Sequence, residues 1–155
     1  MAEPIRFQDI YEAHATAIYR CLLAWSRNAG TAEDLTAETF VRALAAEQPV
    51  QASTARAYLV VIARNLWREH LRRGWRQEPI EAAPPSVSAP DAIGRIELQT
   101  ILDAIAELPE PLREPLVLFA QGGLSYDEIA DQLQLPLATV KIRIFRARQR
   151  LEKYR

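Results

Sequence analysis

The segment that most restricts the fold is residues 125–148, Ser-Tyr-Asp-Glu-Ile-Ala-Asp-Gln-Leu-Gln-Leu-Pro-Leu-Ala-Thr-Val-Lys-Ile-Arg-Ile-Phe-Arg-Ala-Arg, which spells two short helices and a tight turn. Ser125 with Glu128 three residues on is a capping box: the hydroxyl accepts from the amide of the third helical residue, and the carboxylate reaches back to the cap amide. Tyr126, Ile129, Ala130 and Leu133 then fall at i, i+3, i+4 and i+7, a single apolar stripe. Pro136 sits at or near the first turn of a second helix, where its missing amide costs nothing. Leu137, Val140, Ile144, Ala147 and Leu151 form the buried seam of that helix, which leaves Lys141, Arg143, Arg146, Arg148 and Arg150 to point outward. Two short helices with a tight connector match the helix-turn-helix, so nucleic acid is the first partner to consider.

A blander reading makes these cations a solvated surface that keeps the helix soluble. Two features weigh against it. No acid stands between Val140 and Leu151, and the cations are mostly Arg, whose fork suits bidentate contacts to guanine or phosphate.

The rest of the chain reads as helical on both sides of one break. Between Arg76 and Ile93 the sequence holds four prolines in sixteen residues and no helical period, so residues 77–92 read as a flexible linker. Fully extended, sixteen residues span about 55 Å at 3.3–3.6 Å each, comparable to one and a half turns of B-DNA. Before the break, Phe7, Ile10, Tyr11, His14, Ile18 and Leu22 mark a first helix. Thr31 caps a second over about 32–46, with Gly30 ending what precedes it. A third runs from about 54 to 73, with Leu59, Ile62, Ala63, Leu66 and His70 on one side and Gly74 as its stop. After the break, 96–108 and 112–121 give two more, punctuated by Pro109, Pro111 and Gly122-Gly123. No segment alternates with period two, so the fold expected is all-α: two small helical domains, 1–76 and 93–155.

Composition narrows the function. One cysteine, Cys21, allows no internal disulfide and fits a reducing compartment. With only His14 and His70 beside it, the usual four-ligand zinc site cannot be assembled, so no metal or other cofactor is expected. The longest apolar run, 57–63, is far shorter than the ~20 residues that span a bilayer, so a cytoplasmic protein is expected. The net charge of −1 conceals segregated signs. Glu33, Asp34 and Glu38 cluster early in the first half, and Arg64, Arg68, Arg72, Arg73 and Arg76 late, which suggests separate partners for separate faces.

Asp34 and Glu38 stand four apart on one face of the second helix, with Leu35 and Phe40 packing elsewhere. Paired carboxylates can serve acid–base catalysis. Here they lack a nucleophile, a histidine partner or a phosphate loop, and an acid pair near a helix start also complements the macrodipole. An acidic docking face is the preferred reading, and an enzyme is not expected. On the third helix Arg64, Arg68 and Arg72 recur every four residues, interleaved with Asn65, Trp67 and, beyond it, Trp75. Cations track phosphates while aromatic faces receive unstacked bases at ~1–3 kcal/mol each, so this is the composition of a single-strand-binding surface. The competing reading places Trp67 in the core and makes the arginines a solvated stripe.

Taken together, residues 32–44 (Ala-Glu-Asp-Leu-Thr-Ala-Glu-Thr-Phe-Val-Arg-Ala-Leu), residues 57–73 (Ala-Tyr-Leu-Val-Val-Ile-Ala-Arg-Asn-Leu-Trp-Arg-Glu-His-Leu-Arg-Arg), residues 108–113 (Leu-Pro-Glu-Pro-Leu-Arg), residues 123–130 and residues 139–143 (Thr-Val-Lys-Ile-Arg) resemble bacterial sigma factors of the extracytoplasmic-function group. The likeness covers nearly the whole chain, in the family's order. It implies that residues 1–76 dock on core RNA polymerase through Asp34, Leu35, Glu38 and Phe40. It further implies that the loop 47–53, with Pro49, and the following Asn65 hold a base flipped from the −10 element. Arg64, Arg68, Arg72 and Arg73, with Trp67, would hold the nearby single strand. The second domain would read the −35 element through Thr139, Lys141, Arg143 and Arg146, and an anti-sigma factor is an implied partner.

The chain departs from that family pattern at several positions. Many relatives carry glutamine where Ala37 stands, glycine at Gln134 and Ala138, and serine at Ile142, while Pro49 occupies a position where an aromatic is frequent. The promoter sequence is therefore not transferable from the family. No long extension follows Arg155, so added regulatory domains are not expected. Two other classes remain: a DNA-binding regulator that works without polymerase, which leaves Asp34, Glu38 and the Trp–Arg helix unexplained, and an adaptor that binds protein alone, which leaves the basic helix unexplained.

Overall fold

The computed structural model describes residues 6–46, 51–74 and 92–152. These residues hold seven α-helices, α1 (Phe7–Ser26), α2 (Ala29–Ala45), α3 (Ala55–Arg73), α4 (Ala92–Glu107), α5 (Glu110–Ala120), α6 (Tyr126–Leu133) and α7 (Leu137–Leu151). One 3-10 turn, Ala52–Thr54, precedes α3, and the described residues contain no strand. The all-α expectation holds. The chain divides into two compact units, residues 1–83 and 84–155. Pro49, the loop residues 47–50, Trp75, Arg76 and the expected linker up to residue 91 lie outside the described residues.

In the first unit α1, α2 and α3 pack against one another. Ile18, Cys21 and Leu22 from α1, Ala32 and Phe40 from α2, and Leu59, Val60 and Ala63 from α3 are buried. The many alanines let the helix backbones approach closely. Burying each of the larger aliphatic side chains supplies roughly 1.5–3 kcal/mol. Two threonines share this interior because each bonds back to its own helix: Thr36 Oγ1 donates to the Ala32 carbonyl at 2.6 Å and Thr39 Oγ1 to that of Leu35 at 2.7 Å. Burial also pushes the Cys21 thiol up to about 12, which leaves it an inert packing group.

The start of α2 differs from the sequence expectation. Asn28, rather than Thr31, is the cap: its Oδ1 accepts from the Thr31 amide at 2.9 Å. Gly30 lies in the first turn of α2, and α1 ends instead at Arg27, a left-handed residue (φ 56°) whose amide donates to the Leu23 carbonyl. Asn and Thr are both good caps. Asn28 wins because α1 has already stopped, and the helix starts as early as a cap permits. The end of α3 is as expected, with Gly74 donating to the His70 carbonyl.

In the second unit α5, α6 and α7 pack on one another around Leu116, Val117, Leu118, Leu124, Ile129, Val140, Ile144 and Ala147. α4 begins at Ala92, about a turn earlier than its periodicity suggests, and buries Leu102, Ala104, Ile105 and, just past its end, Leu108. Arg113 of α5 closes the end of α4 by donating to the Ala106 carbonyl at 3.2 Å. α5 stops at the glycine pair. Gly123 takes φ 70°, where a side chain is strained, and Leu124 turns inward with its amide on the Leu118 carbonyl.

Candidate nucleic-acid interface

The helix-turn-helix forms as its sequence dictates. The capping box is complete: the Glu128 amide donates to Ser125 Oγ at 3.1 Å and the Ser125 amide to Glu128 Oε1 at 2.9 Å. α6 ends at Gln134 in the left-handed region (φ 54°, ψ 51°), and the Leu135 amide closes back onto the Ala130 carbonyl at 3.0 Å. That is the geometry in which glycine is the low-cost residue, so the departure seen at Gln134 carries backbone strain. Pro136 is the N-cap of α7, one position before the helix proper.

α7 buries the expected seam. Val140, Ile144 and Ala147 are buried and Leu137 and Leu151 half-buried. Lys141, Arg146, Arg148 and Arg150 are exposed, with Thr139 and Arg143 half-exposed at the edge. Arg148 does more than decorate the surface, since its guanidinium lies 5.1 Å from the centre of the Phe119 ring. That ring in turn stacks on Tyr126 at 4.8 Å. This cation–π contact ties α7 to α5 and α6 and holds one of the cations in place. The result is a helix with a buried apolar inner face and cations along both outer edges.

The candidate surface of α3 is only partly what the sequence suggests. Asn65, Arg68, Arg72 and Arg73 are exposed, whereas Arg64 is 8% exposed and sits within the fold. Residues four apart advance about 40° around an α-helix. A row of three arginines therefore rotates by about 80°, and Arg64 turns into the bundle while Arg72 faces out. Trp67 is half-buried and stacks on His70 at 5.6 Å. Two residues from Asn65, it projects from another side of the helix, so the aromatic and the amide do not share a surface. The aromatic that does is Tyr58, 38% exposed and seven residues before Asn65. A seven-residue spacing was the available signal. Arg73 is tied at 2.9 Å to Glu69.

On α2, Asp34 and Glu38 are exposed and Leu35 half-buried. Phe40 is not on that surface: it is 2% exposed, with the Tyr11 ring 4.9 Å and the Phe7 ring 6.2 Å from its own. A docking role for Phe40 is therefore corrected to a core role. The apolar residue beside Glu38 in the open is Val41, 57% exposed, and Leu44, 63% exposed, lies one turn beyond Val41. Glu38 also pairs with Arg42 at 3.3 Å, and Arg42 reaches Glu69 of α3 at 3.7 Å. Exposed pairs of this kind contribute at most about 1 kcal/mol, so a partner can rearrange them cheaply. No helix of the described residues is long and apolar enough to cross a membrane, and those residues contain no cluster of three or more metal-ligating side chains.

Comparison with known proteins agrees with this architecture. Residues 10–77 match Sigma-70 region 2 and residues 98–151 match Sigma-70 region 4. The chain is 35% identical to the ECF RNA polymerase sigma factor SigE of Mycolicibacterium smegmatis, over 96% of this chain and 61% of that protein. It thus spans about three-fifths of that relative's length. It is 30% identical to the ECF RNA polymerase sigma factor SigM of Bacillus subtilis, over 93% of this chain and 91% of that one. Among solved structures, CnrH in complex with the cytosolic domain of CnrY matches with a TM-score of 0.65 at 25% identity, over 96% of this chain and 86% of that one. The sigma factor RpoE of Bartonella quintana, solved with the anti-sigma factor NepR, shares the fold with a TM-score of 0.69 at 24% identity, over 95% and 94%. With both regions present in order, this chain belongs to the ECF group of RNA polymerase sigma factors.

Proposed function

We propose that the chain binds core RNA polymerase and directs it to a specific set of promoters. The observation that carries this reading is the helix-turn-helix of the second unit, whose α7 buries an apolar seam and lines both outer edges with cations. In this reading residues 1–76 hold the polymerase and the melted strand, residues 77–92 join the halves, and residues 93–155 read the −35 element. Asp34 and Glu38, with Leu35, Val41 and Leu44, dock on the polymerase. Asn65, Arg68 and Arg72, with Tyr58 beside them and Pro49 in the preceding loop, face the opened −10 strand. Arg73 joins them once released from Glu69. Thr139, Lys141, Arg143 and Arg146 contact the upstream duplex.

The energetics favour two weak modules on one scaffold. Extruding a base costs a few kcal/mol, so a surface that binds only the open strand favours melting over simple binding. Once one module is bound, the second acts at a raised effective concentration. With surfaces for polymerase and DNA, the chain works as a specificity subunit rather than an enzyme, in the cytoplasm where the chromosome lies. An anti-sigma factor that covers these surfaces is the further partner proposed. The test is transcription by bacterial core polymerase with and without the purified chain on a genomic template library. A defined set of start sites that appears only with the chain supports the reading. Tight, selective binding to duplex DNA with no association with core overturns it in favour of an independent regulator.

A further inference from the structure

We infer that the outward ridge of α7 reads the 5-methyl groups of thymine, with Ile142 and Phe145 as the specificity-determining residues. The inference rests on the proposed placement of α7 in the major groove and deepens it. Ile142 is 49% and Phe145 62% exposed. With the exposed Ala138 they fall at i, i+4 and i+7, a line opposite the buried seam of Val140, Ile144 and Ala147. From Ala138 to Phe145 the face most distant from the core is thus apolar, and the exposed Gln149 continues that line one turn on. At about 100° per residue, Lys141 and Arg148 flank this ridge on one side and Arg143 and Arg146 on the other. No acid occurs anywhere on α7.

An apolar strip between two rows of positive charge matches one kind of surface well. In a major groove the two phosphate walls take the flanking cations, and the ridge meets the base edges on the floor. Ile and Phe can form no hydrogen bond there. Against the donor and acceptor atoms of a G·C pair they would strand polar groups without partners. The apolar group the major groove offers is the thymine methyl. Spacing agrees: Ile142 and Phe145 lie about 4.5 Å apart along the axis, close to the roughly 3.4 Å rise between bases, so they address neighbouring pairs. An apolar protein partner would lack the opposite charge on both flanks.

The test uses the full chain with core polymerase on promoters whose upstream duplex is randomised, followed by sequencing of the transcribed templates. The wild-type chain enriches T·A at one or two neighbouring positions. Ile142→Ser and Phe145→Ala each lose that enrichment at one position and keep the rest. Replacing the selected thymine by deoxyuridine, which removes only the methyl, lowers wild-type promoter affinity about fourfold per methyl, equivalent to ~0.8 kcal/mol. The matching variant is insensitive to the same replacement. Enrichment of other base pairs, or equal deoxyuridine sensitivity in wild type and variant, defeats the methyl reading alone. Variants that keep the template preference but lose affinity for core polymerase make the ridge a protein contact, which also defeats it. If wild-type protein enriches no upstream sequence at all, the groove placement of α7 fails and takes this inference with it.

Discussion

Replacing Gln134 by glycine should stabilise the second unit, which is unusual for a mutation to glycine. Gln134 sits at φ 54°, ψ 51° between the two helices of the helix-turn-helix. An ordinary L residue pays roughly 1–2 kcal/mol in that conformation, and glycine pays none of it. Glycine gains freedom in the unfolded chain, which costs back about 0.4–1 kcal/mol. Because Gln134 is exposed, little packing is lost, and the expected net is a gain of about 0.5–1 kcal/mol. For a domain of this size that raises the melting temperature by about 2–8 °C. The assay has an internal control, since Trp25, Trp67 and Trp75 all precede the linker. Tryptophan fluorescence should show an unchanged first-unit transition, while hydrogen exchange at the amides of α6 and α7 slows. Gln134→Val, with a branched side chain in the same conformation, should destabilise. A glycine variant that melts lower, beside a valine variant that is tolerated, would refute a left-handed residue at this turn.

Four further outcomes separate the roles assigned above. Phe40→Ala should cost about 3–5 kcal/mol in the first unit because it empties a buried aromatic site. Asp34→Arg should leave stability within about 0.5 kcal/mol and weaken association with core polymerase. A Phe40→Ala protein that melts like wild type yet fails to bind core would return Phe40 to the docking face. Arg143→Ala should relax preference at one upstream base pair by about 1–3 kcal/mol, and a uniform loss across sequences would reassign Arg143 to phosphate. Burial, helped by the charge of Arg56, holds His14 below its usual 6.5, so the unfolded chain binds the proton more tightly than the folded one. The stability due to neutral His14 is complete above pH 6.5 and is lost as pH falls through the lowered folded value. The urea midpoint of the first unit should therefore drop on acidification more in wild type than in His14→Gln. Equal slopes would remove His14 as the cause.

The second unit was the more legible half because its signals are local. A capping box, an apolar stripe of four residues over two turns and a seam on α7 each specify structure within a few turns, and each appears as expected. The first unit depends on packing among three helices, which local pattern describes poorly. Residue spacing rightly sent Phe40 away from the acidic face, whereas the family pattern alone drew it in. Arg64 departs from the expected row because a four-residue repeat looks like one stripe over a single turn and drifts off it over two. The exposure of Tyr58, Val41 and Leu44 is not legible in the sequence, because apolar residues on an amphipathic helix resemble core unless a neighbouring helix passes them by.

A probe at each surface measures where both touch one promoter. Cys21 is buried, with its thiol pushed up to about 12, so a cysteine introduced at Asn65 or at Gln149 can be labelled selectively with a DNA-cleaving chelate. In the assembled polymerase–promoter complex, the α3 probe should cut the opened strand at the −10 element and the α7 probe should cut duplex at the −35 element. Cleavage from both probes at a single site, or the same cuts when polymerase is left out, would contradict the division of labour between the two units.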